Sequence, residues 1–374
     1  MINNEFYDKL DPVCHAGLKA SLNQETHAYD LQLKDKAWHN TNEFYPTEDL
    51  TSSAICLIGI NRARVDLSSV ALDPSRVLDS LYGLYRRRNY PGGFGLVLWA
   101  AAVWDGPDFD AVQQRCDIRL HPFSDHVASI TTMEAAWLAS GLATEYQRNG
   151  NEQVKALLEK TAAELMQSRF EPTTGLVIHA GKMAGFSNRL RGHIANFADQ
   201  IYTIQALAFT SMATGNEQAL DIAIQLADNM VKLQGDKGQW WWHYDASRGG
   251  VPQQHPVYSV HQHGMAPMAL RAINAAGGPD FEEAIVMSRS WMDNNELGIS
   301  LIDTGQPTIW RSIEHDDGMA GNMIRKLCTL LGLAGDRSSK PALRLNYETR
   351  PYEWAWCIYA GGIERAIDKG LHLV

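Results

Sequence analysis

The sequence predicts an all-α fold, an (α/α)6 toroid whose helical hairpins close into a ring with their long connections on one face. Three observations carry this expectation. Apolar residues recur at three- and four-residue spacing along most of the chain, while alternating strand patterns are scarce. Four glycine-centred turns recur at a nearly constant step. Three connections exceed 20 residues, and they alternate with short ones.

The helical periodicity runs over Thr51–Arg64, Val77–Arg88, Val127–Gln147, Glu152–Arg169, Phe197–Thr214, Glu217–Gln234, Ser259–Ala275, Phe281–Asn294, Gly318–Leu333 and Pro351–Lys369. The turns RNGNE (148–152), ATGNE (213–217), AAGGPD (275–280) and LAGD (333–336) repeat one device. A glycine stands just past a helix and an acidic residue opens the next, as a tight helix–helix turn requires. With Gly150, Gly215, Gly277 and Gly335 as markers, the steps are 65, 62 and 58 residues. A period near 60 holds two helices and two connections, so about six units fit in 374 residues. The short turns then share one face. The long links Glu171–Ala195, Gly235–Tyr258 and Asn295–His315 share the other. An open solenoid is the alternative architecture. The first 75 or so residues fit the period poorly, and residues 1–374 are read as one toroid domain.

Composition narrows the function. At 45% hydrophobic and 20% charged, the chain has ample material for a core. The 33 basic and 43 acidic residues give a net charge of −10, which repels phosphate backbones, so no nucleic-acid partner is expected. Arg86-Arg87-Arg88 reads as the exposed end of a helix, where cations complement the dipole. The opening MINNEFYDKLDP lacks a signal-peptide pattern, and the longest apolar run, Phe94–Trp104, falls short of the ~20 residues that cross a bilayer. Cys14, Cys56, Cys116, Cys328 and Cys357 are odd in number, scattered and without C-x-x-C spacing. That speaks against a disulfide framework and a zinc–thiolate site. The expectations are a cytoplasmic protein with no cofactor and no metal. Its partner would be a small molecule or oligosaccharide, with a homo-oligomer left open.

The chemistry concentrates where helices follow long connections. Ser259 and Gln262 have capping-box spacing, and Asn196 with Asp199, Ser124 or Asp125 before Val127, and Asp316 or Asp317 before Gly318 are similar signals. First-turn acids are stabilised by free N–H groups, so each aspartate has a capping role to set against a chemical one. Asp199 stands in IANFADQIYTIQALAF, a stretch so apolar that it should face a buried surface. Burial would hold it protonated, as a general acid requires. Asp125, in HPFSDHVASITTMEAAWL, is flanked by His121 and His126. Two carboxylates at the mouth of one ring can divide acid and base roles.

Aromatic residues crowd the same connections: Trp240, Trp241, Trp242, Tyr244, Tyr258 and Trp310. They are either stacking surfaces for a sugar or an isoprenoid, or lids packed over the ring. His261 and His263 are two positions apart, hence about 200° apart on a helix, so no shared metal face is expected. One of them is the better candidate for a polar donor to substrate. Arg311 and Arg350 either clamp a substrate carboxylate or pair with Glu314, Glu348 or Glu353. Pro351 suits a first helical position, and GGFG (92–95) reads as a cluster of turn glycines.

On these residues the chain resembles the six-hairpin glycosidase superfamily, and within it the unsaturated glucuronyl and rhamnogalacturonyl hydrolases. The resemblance rests on Asp199 in FADQIYTIQALAF, Asp125 in FSDHVASITTMEAAWL and the segment VYSVHQHGMAPMAL. It implies that Asp199 donates a proton to the vinyl ether of an unsaturated uronic acid and that Asp125 orients it. Water then adds to the neighbouring carbon. This chain departs from that group at His261-Gln262-His263-Gly264-Met265, where those enzymes usually carry an arginine–glycine–glutamine–alanine–tryptophan type of segment. Hydrolase, lyase and epimerase therefore stay open. A second reading is an isoprenoid cyclase or hydratase-isomerase: GQWWW resembles the glutamine–tryptophan repeats of triterpene cyclases and EHDD (314–317) their acidic motif. DFDA (108–111) departs from that motif at its last position. A third is a glycan- or peptide-binding toroid without catalysis.

Overall fold

A computed structural model describes residues 5–41, 48–88, 90–118, 127–316, 321, 328 and 342–369. Its helices fall into two shells. The inner shell consists of α2 (Glu48–Arg62), α4 (Phe94–Val103), α6 (Thr132–Asn149), α9 (Phe197–Thr214), α11 (Ala266–Ala275) and α13 (Pro351–Asp368). Each packs on the next, and α13 packs back on α2, so the ring is closed and the solenoid alternative is set aside. Outside it lie α1 (Glu5–Ser21), α3 (Pro74–Arg88), α5 (Phe109–Arg115), α7 (Glu152–Ala163), α10 (Glu217–Lys232) and α12 (Glu282–Asn294). A short α8 (Phe186–Leu190) sits within a connection.

The two shells differ as their sequences require. On α10 the buried residues Ala219, Ile222, Ala223, Leu226, Ala227 and Met230 follow one face, as in a helix with one side in water. On α9 every residue from Phe197 to Thr210 is buried, and on α4 every residue from Phe94 to Ala102. A helix surrounded by protein shows no period. That is why the glycine cluster at 92–95 reads as a turn although α4 begins inside it, at Phe94. The recurrent turns form as expected: Gly150, Gly215 and Gly277 take φ of 67°, 73° and 89°, a left-handed backbone that only glycine adopts without strain.

Three expected helices depart most from expectation. The helix expected from Val127 begins at Thr132, because Thr131 and Glu134 close a capping box and Thr131 bridges Ala180. The helix expected to run to Arg169 widens into a π turn at Glu164–Arg169. There the buried Arg169 binds Glu164 at 2.8 Å and the Val127 and Ala128 carbonyls. The helix expected from Ser259 starts there, but it widens into a π turn at His261–Met265 and is regular only from Ala266. Gly318–Leu333 and Gly335 lie outside the described residues. The poorly periodic N-terminal part holds α1 and a hairpin of β1 (Leu31–Lys34) and β2 (Ala37–Asn40).

The long connections 171–195 and 235–258 enter the N-terminal ends of the inner helices α9 and α11, and short strands stitch the connections together. β5 (Ile194–Asn196), before α9, pairs with β6 (His243–Asp245), before α11. β8 (Val257–Tyr258) pairs with β11 (Ser312–His315), before α13. β13 (Glu348–Thr349) pairs with β1, before α2. The result is a rim held by backbone hydrogen bonds on one face of the ring.

Below the rim the ring axis is filled by aromatic side chains. Trp99 of α4 meets Phe209 of α9 and Trp356 and Tyr359 of α13 at centroid distances of 5.7, 6.0 and 6.2 Å. Trp137 of α6 and Trp356 flank Tyr202 of α9 at 5.6 and 6.0 Å. Among the described residues, no helix is long and apolar enough to cross a membrane.

Ring closure needs a close approach at the seam. A Cβ at Gly59 of α2 would lie 2.4 Å from the Ala355 carbonyl oxygen of α13. Gly59→Ala is therefore expected to destabilise the fold by ~1–3 kcal/mol through overpacking. Denaturant or thermal unfolding measures it, and an unchanged midpoint would contradict so tight a seam.

Candidate active site

Asp199 occupies the third position of α9 and has no exposed surface. Its Oδ2 accepts from the Asn196 N–H at 2.8 Å, the carboxylate half of the capping box that the Asn196–Asp199 spacing predicts. Its Oδ1 accepts from the Met133 N–H at 3.0 Å, which ties the start of α9 to the start of α6. Oδ2 also meets His179 Nδ1 at 2.8 Å, and Arg191 reaches His179 Nε2 at 2.8 Å. A guanidinium can only donate, so Nε2 accepts and the imidazole proton sits on Nδ1, facing Asp199. Three donors thus address Asp199, whose oxygens serve as acceptors. Beside Met133 is Glu134, half-buried, whose Oε2 accepts from the Thr131 N–H at 2.7 Å and hydroxyl at 2.8 Å. Two carboxylates therefore open neighbouring inner helices. Asp125, with Ser124, His121 and His126, lies outside the described residues.

The three tryptophans divide. Trp240 is buried, with Nε1 donating to Ser288 of α12 at 2.8 Å and its own N–H to Gln262 at 3.2 Å. Trp241 is buried too, with Nε1 on the Leu233 carbonyl at 3.0 Å and its N–H on the hydroxyl of the buried Tyr244 at 3.1 Å. Trp242 is half-buried. Its ring stacks on His261 at 5.6 Å and 11° and meets Tyr258 at 4.8 Å. On its own account His261 stacks on Phe197 at 4.1 Å. Two anchors thus hold the loop down and present the third ring at the rim.

Burial, and then Arg311, push the His261 imidazole well below the ordinary histidine range, so it is neutral. The Arg311 guanidinium lies 5.1 Å from the Tyr258 ring and 6.0 Å from Tyr352. Glu348 serves both arginines, at 3.3 Å from Arg311 and 2.6 Å from Arg350. The Ser259–Gln262 capping box does not form. The Ser259 hydroxyl lies between the Arg311 carbonyl and Glu353, while Gln262 Nε2 donates to the Tyr258 carbonyl at 3.1 Å. His263 points away from His261 and meets the fully buried Glu353 at 3.1 Å. Burial would lower its imidazole, but Cys357 and Glu353 outweigh that and raise it to about 9.

The remaining predicted residues are not drawn into this group. Trp310 is buried against Tyr347 at 5.1 Å. Asp316 is exposed, 3.6 Å from Arg344, and Glu314 pairs with Arg344 at 2.8 Å. Asp317 lies outside the described residues. Sequence reading missed Glu134, His179 and Arg191. The spacing Thr131-x-x-Glu134 was a signal for the first, but nothing local marked the other two.

No family model matches the sequence, and no curated protein matches it. Solved structures do. The chain is similar to the unsaturated glucuronyl hydrolase of Bacillus sp. GL1, at 10% identity over 99% of this chain and 98% of that one, with a TM-score of 0.60. It is similar to the cellobiose 2-epimerase of Bacillus thermoamylovorans B4167, at 12% identity over 97% and 100%, with a TM-score of 0.61. It is also similar to an alpha-1,6-mannanase of Salegentibacter sp. HEL1_6, at 11% identity over 96% and 99%, with a TM-score of 0.56. The chain has the six-hairpin toroid fold. At such identities the likeness covers the backbone path from end to end and leaves the chemistry to this chain's own side chains.

The tryptophan loop is anchored from outside the ring by Glu296. Its Oε1 accepts from Gln239 at 2.7 Å and lies 3.6 Å from His255, while Oε2 accepts from Trp291 at 3.0 Å. Burial would raise this carboxyl, but the nearby His255 and the bond from Gln239 prevail and hold it near 2. A depressed carboxylate stabilises the fold above its unfolded value of about 4.5, and the gain disappears as pH falls through about 2. Wild type should therefore unfold at a higher temperature than Glu296→Gln at neutral pH. That difference should shrink as pH is lowered from about 4.5 toward 2, as calorimetry can follow.

Proposed function

We propose that the protein is a carbohydrate-active enzyme, a glycoside hydrolase or lyase acting on an oligosaccharide, with unsaturated uronic acids the first substrates to test. The observation that carries this reading is the half-buried Trp242 and Tyr258 standing over the neutral His261. This stack is one residue past the β5–β6 pair that leads into Asp199, since the Phe197 N–H donates to the Trp242 carbonyl at 2.9 Å. Flat rings at the rim offer the apolar faces of a pyranose a stacking surface. Asp199 follows by two residues Phe197, whose ring stacks on His261.

In this reading the chain is one toroid domain with its pit at the rim face. Trp242 and Tyr258 seat a sugar ring, and His261 offers a polar contact. Arg311 and Arg350 both reach Glu348, and guanidinium groups of this kind can pair with the carboxylate of a uronate. Asp199 and its hydrogen-bonded neighbours, with Glu134 and Asp125, perform the proton transfers. On an unsaturated uronic acid, a proton goes to the vinyl ether and water adds to the adjacent carbon. The free cysteines among the described residues accord with a cytoplasmic location.

A second reading has its own support. A neutral imidazole is competent to take a proton from a sugar carbon at neutral pH. His261 held neutral beside a stacking platform therefore also suits an epimerase, and one enzyme sharing the fold is named a cellobiose 2-epimerase.

The test is incubation with unsaturated and saturated uronic oligosaccharides, with neutral oligosaccharides, and with reducing disaccharides in D2O. Farnesyl and geranylgeranyl diphosphate serve as the competing substrates. Cleavage or hydration supports the first reading, deuterium at carbon 2 the second, and a product from a diphosphate alone would remove both. Trp242→Ala is expected to raise KM about tenfold, equivalent to ~1.4 kcal/mol of stacking. Asp199→Asn should lower kcat by at least ~100-fold. It should also lower Tm, because an amide NH2 must face one of the three donors, a loss of ~1–3 kcal/mol.

A further inference from the structure

We infer that His179 is the group that exchanges protons with substrate, backed by Asp199 as its positioning residue and masked in the resting protein by Arg191. This rests on the sugar-enzyme reading above and assigns its acid–base work to one atom, His179 Nε2.

Asp199 itself has no surface to offer. Both its oxygens are taken by donors, and two of the three donors are backbone N–H groups of helix starts. A proton leaves or reaches it only through the third, the imidazole. The Nδ1–Oδ2 distance of 2.8 Å is that of a base held by its orienting carboxylate. Asp199 is fixed in turn by the Met133 and Asn196 N–H groups, and the α9 N-terminus stabilises its negative charge. The backbone of His179 is fixed too. Its carbonyl accepts from the Thr132 N–H at 2.9 Å and its N–H donates to the Gly192 carbonyl at 2.7 Å. The imidazole cannot turn without breaking this frame.

Its free end is Nε2, and Arg191 covers it. Arg191 follows α8 directly, in a stretch whose Met183, Phe186 and Leu190 are 73%, 70% and 62% exposed. Withdrawing the guanidinium therefore disturbs little packing. A sugar hydroxyl or carboxylate that takes up the donors of Arg191 exposes the Nε2 lone pair. His179 then removes a proton from the attacking water as its oxygen bonds to the sugar carbon and the bond to the leaving oxygen breaks. The proton resides on Nε2, where the imidazolium faces the Asp199 carboxylate through Nδ1–H. It passes through solvent to the leaving oxygen, which restores the neutral ring.

The experiment uses the full chain. His179→Gln is expected to fold and to lose at least ~100-fold in kcat with KM little changed. His179→Gly should be rescued by added imidazole but not by pyrazole, which has the same shape and is far less basic. Rescue by both, or a His179→Gln variant near wild-type kcat, overturns the inference and leaves the sugar-enzyme reading standing. Absence of wild-type turnover on every sugar removes the sugar-enzyme reading instead. The geometry behind the inference is tested separately, by the 15N shifts of His179. An Nδ1–H tautomer in wild type supports it. An Nε2–H tautomer in wild type sinks it.

Discussion

In a ring of inner helices the last must lie against the first, and here α13 meets α2 where Gly59 leaves room for the Ala355 carbonyl. Much else follows from that contact. Closure turns inner helices so that no face is left in water, which is why α4 and the first four turns of α9 are buried on all sides while α10 is not. It also directs the starts of all inner helices to one face. The connections that enter them are then brought edge to edge, and their strands pair across segments far apart in the sequence. The aromatic side chains along the axis fill the space that a closed ring of this diameter encloses.

Asp199 does two jobs that are hard to separate. As a cap it satisfies the N–H groups of Asn196 and Met133 and so joins α9 to α6. As a partner of His179 it fixes a side chain that arrives from the preceding connection. The same carboxylate therefore secures the ring and addresses the candidate chemistry. Glu134 repeats the capping part of this arrangement on α6, through Thr131 alone.

Much of the architecture was legible because it is written in local signals. Gly150, Gly215 and Gly277 need a left-handed backbone, and the Asn196–Asp199 box needs only adjacent residues. The long connections declared themselves by length. What stayed hidden was set by tertiary context. α4 lacks a period because it lacks an exposed face. Ser259 leaves its expected cap because Glu353, 94 residues on, takes its hydroxyl. Trp240 and Trp241 look like Trp242 in sequence, yet Ser288 and the Leu233 carbonyl claim the indoles of the first two. His179 and Arg191 meet because the connection folds back on itself at Gly192, a route that no local pattern records.

The rim is joined by main-chain pairing between β5 and β6, β8 and β11, and β13 and β1. Amide-to-carbonyl links are indifferent to most side chains. Residues on those strands can thus be exchanged while the collar that carries them persists. A scaffold so built lets the lining of the mouth drift freely over evolutionary time, and this chain keeps a backbone path in common with solved structures to which it is only 10–12% identical.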